Sequence, residues 1–211
     1  YQQYGTRHFY NADELRTHSI DANGHKRYYY YSQAGRLSVE INALGDVREY
    51  QRDAFGQVVA QIDYAERLDT TNLRGGYLTA ALQQSLSALV SAQDRRTLTS
   101  YSRRGEITQL TDAEGYRTRH QYNGYGERVQ QWQDIELDEQ GLASRQVRHE
   151  YYYDDRGLLT QEILDAGTEL QPGAEKNRTL EYDAFGRKVA QYDTNGAEQH
   201  FTYLDGGRVI E

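Results

Sequence analysis

The chain has 211 residues, a formal net charge of −8 and a pI of about 5.3, so a phosphate backbone is repelled on average. It has no cysteine, which excludes disulfides and thiolate metal sites, and no apolar run long enough to span a membrane. The apolar fraction of 37% and mean hydropathy of −0.95 are low for a compact globule, but 20 tyrosines bring large rings that each keep a hydroxyl for a polar partner.

In chain order, a glycine returns at a fixed spacing. Gly35, Gly56, Gly105, Gly126, Gly157, Gly186 and Gly207 carry this beat, and four residues ahead of them stand Tyr31, Arg52, Tyr101, Tyr122, Tyr153, Tyr182 and Tyr203. A second series, Gly24, Gly45, Gly115 and Gly196, precedes its beat glycine by 11 residues each time, and the full repeat is 21 residues. A half-repeat of this length suits one strand plus one short turn, and repetition points to a scaffold before it points to a catalytic pocket. Tyr116, Thr118, His120 and Tyr122 alternate with Arg117, Arg119, Gln121 and Asn123, the period of a two-faced strand. Six positions past the beat stand Ile41, Ile62, Trp132, Ile163 and Tyr192, with Thr111 as the exception. The expected fold is all-β: tandem antiparallel hairpins in a curved sheet strip, one array over 1–211.

The turns differ in sequence. Asp21-Ala22-Asn23-Gly24 and Asp193-Thr194-Asn195-Gly196 suit a tight hairpin in which Asn and Gly both take positive φ. Asp53-Ala54-Phe55-Gly56 and Asp183-Ala184-Phe185-Gly186 suit a slightly longer turn closed by a left-handed glycine. Ladders of tyrosine rings from adjacent hairpins are expected to replace a central core.

Three steps of the beat are long, and the excess reads as insertions at about 64–97, 134–145 and 165–177. In the first, Leu78, Leu82, Leu86, Leu89 and Val90 fall at helical spacing after Gly75-Gly76, which predicts an amphipathic helix at about 78–93. Its stripe covers a sheet face or docks a partner. The second is acidic, with Asp134, Glu136, Asp138 and Glu139. The third holds the only proline, Pro172. Both read as lengthened turns.

No constellation singles out catalysis. The Asp-x-Asn-Gly turns share the start of a calcium loop but lack its distal ligands. The six histidines form no HxH or HExxH pair. No carboxylate pair stands apart as a glycosidase dyad, and no nucleophile elbow or phosphate-binding glycine loop occurs. Positive charge is almost all arginine, 21 against 3 lysines, and guanidinium planes stack on rings and fork onto carboxylates. A basic strip at Arg117, Arg119 and His120 is the one local feature that suits nucleic acid. No catalytic, cofactor or metal residue is therefore assigned. The chain has no methionine and starts in mid-pattern, so it reads as an excerpt of something longer.

Glu181-Tyr182-Asp183-Ala184-Phe185-Gly186-Arg187-Lys188-Val189 resembles the YD repeat of the RHS (rearrangement hotspot) family. Tyr153-Asp154-Asp155-Arg156-Gly157 is similar, and Tyr31–Leu37 and Tyr203–Val209 are looser copies. Arg52 and Asn123 depart from the pattern. The resemblance implies a β-strip that spirals into a shell. Similar shells enclose a toxic C-terminal domain in bacterial polymorphic toxins and insecticidal Tc toxins, and teneurins use one in adhesion. It implies a structural role without chemistry or cofactor, and a secreted or cell-surface bacterial setting. The implied partners are the rest of a larger chain and an enclosed toxin domain. The family's Asp-Pro self-cleavage element has no counterpart here, so that activity carries over to no residue. The other class of function is a surface module for carbohydrate or adhesion, with exposed tyrosines stacking on glycans.

Overall fold

A computed structural model describes residues 5–164, 176–204 and 209–210. Residues 165–175 of the third insertion, with Pro172, and Gly207 lie outside them. The chain divides into two compact units, Tyr1–Ser100 with Asp112–Glu114, and Tyr101–Thr111 with Gly115–Glu211.

In the first unit, six strands follow each other antiparallel in chain order: β1 (Arg7–Tyr10), β2 (Arg16–Ile20), β3 (Lys26–Tyr31), β4 (Leu37–Ile41), β5 (Val47–Arg52) and β6 (Val58–Asp63). After the insertion, which holds β7 (Gly76–Tyr77) and α1 (Ala80–Leu89), the strand β8 (Arg95–Tyr101) pairs with β6. The second unit repeats the scheme with β9 (Ile107–Thr111), β10 (Arg117–Tyr122), β11 (Arg128–Leu137), β12 (Ala143–Tyr153), β13 (Leu159–Leu164), β14 (Lys176–Tyr182), β15 (Lys188–Asp193) and β16 (Glu198–His200). A short pair, β17 (Thr202–Tyr203) with β18 (Val209–Ile210), follows. The fold is tandem antiparallel hairpins with one inserted helix, as the period predicts.

One turn recurs at both glycine series among the described residues, and here the structure corrects the sequence reading. At both glycine series the first turn residue's amide bonds the carbonyl four residues on, and the glycine amide bonds back to that first residue, as in Asp21/Gly24 and Asp183/Gly186. This is a three-residue loop closed by a left-handed glycine. Among the described residues the only positive-φ residue other than glycine is Glu14, so Asn23 and Asn195 do not adopt the mirror-image geometry. At most of these turns the first side chain caps the loop. Asp183 Oδ1 accepts from the amides of Phe185 and Arg187, both at 2.9 Å, and Asn123 Oδ1 does the same for Tyr125 and Glu127. An amide oxygen does this work as well as a carboxylate, which explains the departure at Asn123. The Leu158 amide holds the Asp154 carboxyl below the usual carboxylate range, and the His25 amide does so for Asp21. A depressed folded-state value means stability that is full at neutral pH and fades as pH falls through it. Urea midpoints should therefore drop between pH 7 and about pH 3.

Glu14 occupies a glycine position. It lies 21 residues before Gly35 and four after Tyr10, with φ +61°. A side chain in the left-handed region costs about 1 kcal/mol. Glu14→Gly should raise stability by about that amount in urea denaturation, and a loss would show that the Glu14 side chain holds something the turn needs.

The first insertion builds the only buried apolar cluster of the described residues. Leu82 and Leu86 of α1 pack with Tyr28, Tyr30, Val39, Ile41 and Val47, and Leu68, Leu73, Leu78 and Leu89 border them. The helix therefore covers a sheet face, and it is shorter than expected. Thr79 caps its start, its hydroxyl accepting the Leu82 amide at 3.2 Å. Its end is fixed because Val90 leaves helical geometry, with ψ +123°, and Asp94 takes the Ser91 amide, the Ser91 hydroxyl and the Ala65 amide. Gly75 passes so close to Thr17 that a Cβ would lie 1.9 Å from its carbonyl oxygen. That approach lets β7 pair parallel with Tyr30 and Tyr31 of β3.

The second insertion is likewise not a lengthened turn. It extends β11 and β12 to 10 and 11 residues, and the same three-residue loop sits at their tip, with Asp138 Oδ1 accepting from Gln140 and Leu142.

Candidate functional site: the clasp between hairpins

The beat tyrosine joins one hairpin to the one before it. In five copies the tyrosine hydroxyl donates to the backbone carbonyl two residues beyond the beat position of the previous turn. The bonds run from Tyr122 to Ile107, Tyr153 to Arg128 and Tyr182 to Leu159, each 2.9 Å, and from Tyr203 to Lys188 at 2.6 Å. Tyr31 bonds Arg16 at 3.0 Å, two residues beyond Glu14. All five rings are half-buried. Arg52 makes the same connection with a different group: its Nη2 donates to the Leu37 carbonyl at 3.1 Å while Nη1 holds the Gly56 carbonyl at 2.9 Å. A guanidinium reaches as far as a phenol and donates as well, so the departure at Arg52 keeps the link. Tyr101 ends β8 and is half-buried.

A second contact accompanies three of these bonds. The residue that offers its carbonyl also lays a cation over the aromatic ring two places before the beat tyrosine. Arg16 lies 3.8 Å from the Tyr29 ring centre, Arg128 4.7 Å from Tyr151, and Lys188 4.5 Å from Phe201. Arg187, in the repeat position after Gly186, pairs Asp183 at 2.7 Å and stands 4.6 Å from the Tyr203 ring. The expected ladder of tyrosine on tyrosine is therefore corrected. Beat tyrosines recur only on every second strand, too far apart to stack, and they dock on carbonyls and cations. Ring contacts instead involve histidine, as in Phe9 stacked on His18 at 4.3 Å.

The beat glycines sit under this contact with φ from +71° to +88° at Gly35, Gly56, Gly105, Gly126, Gly157 and Gly186. At Gly56 the left-handed φ of +87° is the constraint, since the nearest neighbour is the movable end of an arginine side chain. A Cβ there would meet the Arg36 guanidinium at 1.4 Å, so the residue after one turn lies over the glycine of the next.

A buried hydroxyl-to-carbonyl bond contributes about 1 kcal/mol. Tyr153→Phe, which removes only the hydroxyl, should lower the stability of the chain by about that amount in urea denaturation. An unchanged midpoint would show that the bond carries no net energy.

Other groups singled out in the sequence fall apart or find structural work. Arg119 and His120 are consecutive on β10 and so face opposite ways, and Arg119 pairs with Asp134 at 3.1 Å. The basic strip is thus not one patch. Asp21 spends its carboxylate on the amides of Asn23 and His25 and on the His25 ring. Among the described residues no three His, Asp or Glu side chains converge as a metal site, and no helix is long and apolar enough to cross a membrane. Burial, then Arg128, lowers the pKa of His120 below the ordinary imidazole value.

The sequence reading missed the carbonyl acceptors, the cations above the rings, and buried Asp134. Aligning the copies would have exposed the second of these. Arg16, Arg128 and Lys188 occur in the copies whose ring position is Tyr29, Tyr151 or Phe201, and Leu159 occurs where that position is Leu180.

No protein-family model matches this sequence, and no curated protein matches it. Among solved structures, the chain is similar to one titled TcdB2-TccC3-Cdc42, at 15% identity and a TM-score of 0.38 over 97% of this chain and 13% of that one. A TcdB2-TccC3 structure gives 15% identity and a TM-score of 0.37 over 96% and 13%. A Photorhabdus luminescens Tc holotoxin pore gives 14% and 0.33 over 97% and 15%. The chain spans about an eighth to a seventh of the length of these structures.

Proposed function

We propose that this chain is a wall segment of an RHS-type repeat array whose role is to enclose a toxin or effector domain for delivery. In this reading the wall contributes no chemistry and its partners are the rest of a larger chain and the enclosed cargo. The setting is a secreted or cell-surface bacterial protein. The carrying observation is the clasp: the same hydroxyl-to-carbonyl bond recurs from hairpin to hairpin across 21-residue and longer steps. A link that joins each unit to its predecessor by main-chain atoms lets the sheet grow without a central core. Sheet twist would then coil a long enough strip into a wall. The likeness to toxin-complex structures has too low a TM-score to add weight.

Enclosure is tested on the parent polypeptide with protease. A segment held inside should resist digestion until the repeats are unfolded by urea, and digestion at the rate of the free segment would overturn the reading. A glycan platform made of the repeat tyrosines has less support, because their hydroxyls are bound to carbonyls. Clear binding of the chain to one sugar class on a glycan array, lost in Tyr153→Phe, would reverse that preference.

A further inference from the structure

Arginines strap neighbouring turns together on the beat-turn edge of the second unit, and among the three steps between its described turns one strap is missing. Arg104, the residue before Gly105, donates from Nη1 to the Gly124 carbonyl of the next turn at 2.9 Å. Arg156, the residue before Gly157, donates from Nη1 to the Asp183 carbonyl of its next turn at 2.8 Å. Between them lies the step from turn 123–127 to turn 154–158, and there the same position is Tyr125. Its ring is 90% exposed. The step opens as a groove of about 610 Å³ lined by Tyr125, Glu127, Tyr152, Asp154, Asp155 and Arg156 among others.

The chemistry of the groove suits the group that is absent. The carbonyls of Asp154 and Asp155 are the counterparts of the acceptors at Asp183 and Gly124. Three carboxylates, Glu127, Asp154 and Asp155, face one guanidinium, Arg156, which Asp154 already pairs at 2.7 Å. Glu127 reaches across the step, its Oε1 2.7 Å from where a Cβ on Gly157 would stand. Exposed rings beside carboxylates favour a cation, and a planar guanidinium can stack on a ring while its fork meets carbonyl and carboxylate oxygens.

We propose that this groove is a socket for an arginine side chain supplied by a partner protein segment, which completes from outside the strap that Arg104 and Arg156 make from within. The socket does not depend on the enclosure reading. The test titrates the 211-residue chain with acetyl-Gly-Arg-Gly-Arg-Gly-amide by calorimetry and by NMR. Binding should exceed that of the lysine counterpart about fivefold, because ammonium lacks the fork, and should weaken with salt. Asp155→Asn should weaken it about threefold and Tyr125→Ala about fivefold. Tyr125→Arg supplies the missing strap in cis; it should hold or raise the melting temperature and abolish peptide binding. Retention of binding by Tyr125→Arg would overturn the proposal. So would equal affinity for the lysine peptide, no heat or shift at about 10 mM peptide, a quarter-saturating load even for a Kd of about 30 mM, or displacement by a neutral oligosaccharide.

Discussion

Replacing Leu82 and Leu86 together by alanine is expected to cost about 4 kcal/mol and to release the first insertion from its sheet. Both side chains are buried, at 7% and 5% exposure, against Val39 and Ile41, which are fully buried. Single large-to-small changes at such sites cost about 2–5 kcal/mol each, and the pair shares one contact surface, so the two losses do not add in full. The helix has little to hold it otherwise. Ten residues are too few for a stable isolated helix, and no acidic residue in its first turn or basic residue in its last complements the dipole. Its stability comes from the face it buries. The expected readouts are a lower urea midpoint and new protease cleavage within 64–97, with the Tyr153–Arg128 clasp of the second unit intact by NMR. A loss under about 1 kcal/mol would show that the sheet face is stable uncovered.

Sequence periodicity carried the strands because a hairpin is written in local terms: a period of two between turns, and a glycine where the backbone must turn left-handed. Glu14 shows the strength of that signal, since its copy adopts the turn without the glycine. The Asn-Gly pairs misled because a dipeptide preference was set against the residue three places earlier. Asp21 caps its loop with its side chain, and the turn at Asp193 keeps the same backbone bonds although its carboxylate is held by Arg178. The clasp was half legible. Tyr153 stands out in the sequence, but its acceptor is the Arg128 carbonyl, and a carbonyl has no side-chain signature. The parallel pairing of β7 was invisible for a similar reason. It depends on Gly75 meeting the Thr17 backbone, a contact between segments far apart in the chain. The groove at Tyr125 becomes visible only when the copies are compared, as the one tyrosine where the flanking turns have arginine.

Asp134 marks the largest difference between the reading of an acidic insertion and its structure, and its loss is expected to cost about 3 kcal/mol. It is 2% exposed, although acidic residues in an inserted segment are ordinarily solvated. Its place in the ladder explains this. Thr118 of β10 pairs with Gln133, and β10 supplies no partner beyond Arg117, while β11 and β12 continue to the tip. The register shifts between Asp134 and Glu136, a bulge at the point where the long hairpin outgrows its neighbour. There the Asp134 carboxylate accepts the Arg117 amide at 3.2 Å in place of a strand carbonyl, and binds Arg119 Nη2 at 3.1 Å and Gln146 Nε2 at 2.8 Å. The neighbouring Nε atoms of Arg119 and Arg148 are buried without a protein partner, so this region is already rich in donors. Asp134→Ala would add three more unpaired donors, one of them charged, each costing about 1 kcal/mol or more. Asp134→Asn keeps an acceptor and should cost about half as much. Glu136→Ala, exposed and two residues away, should stay within about 0.5 kcal/mol of the parent. Urea denaturation of the three variants decides the point. If Asp134→Ala matches Glu136→Ala, the carboxylate is not what holds the long hairpin to β10.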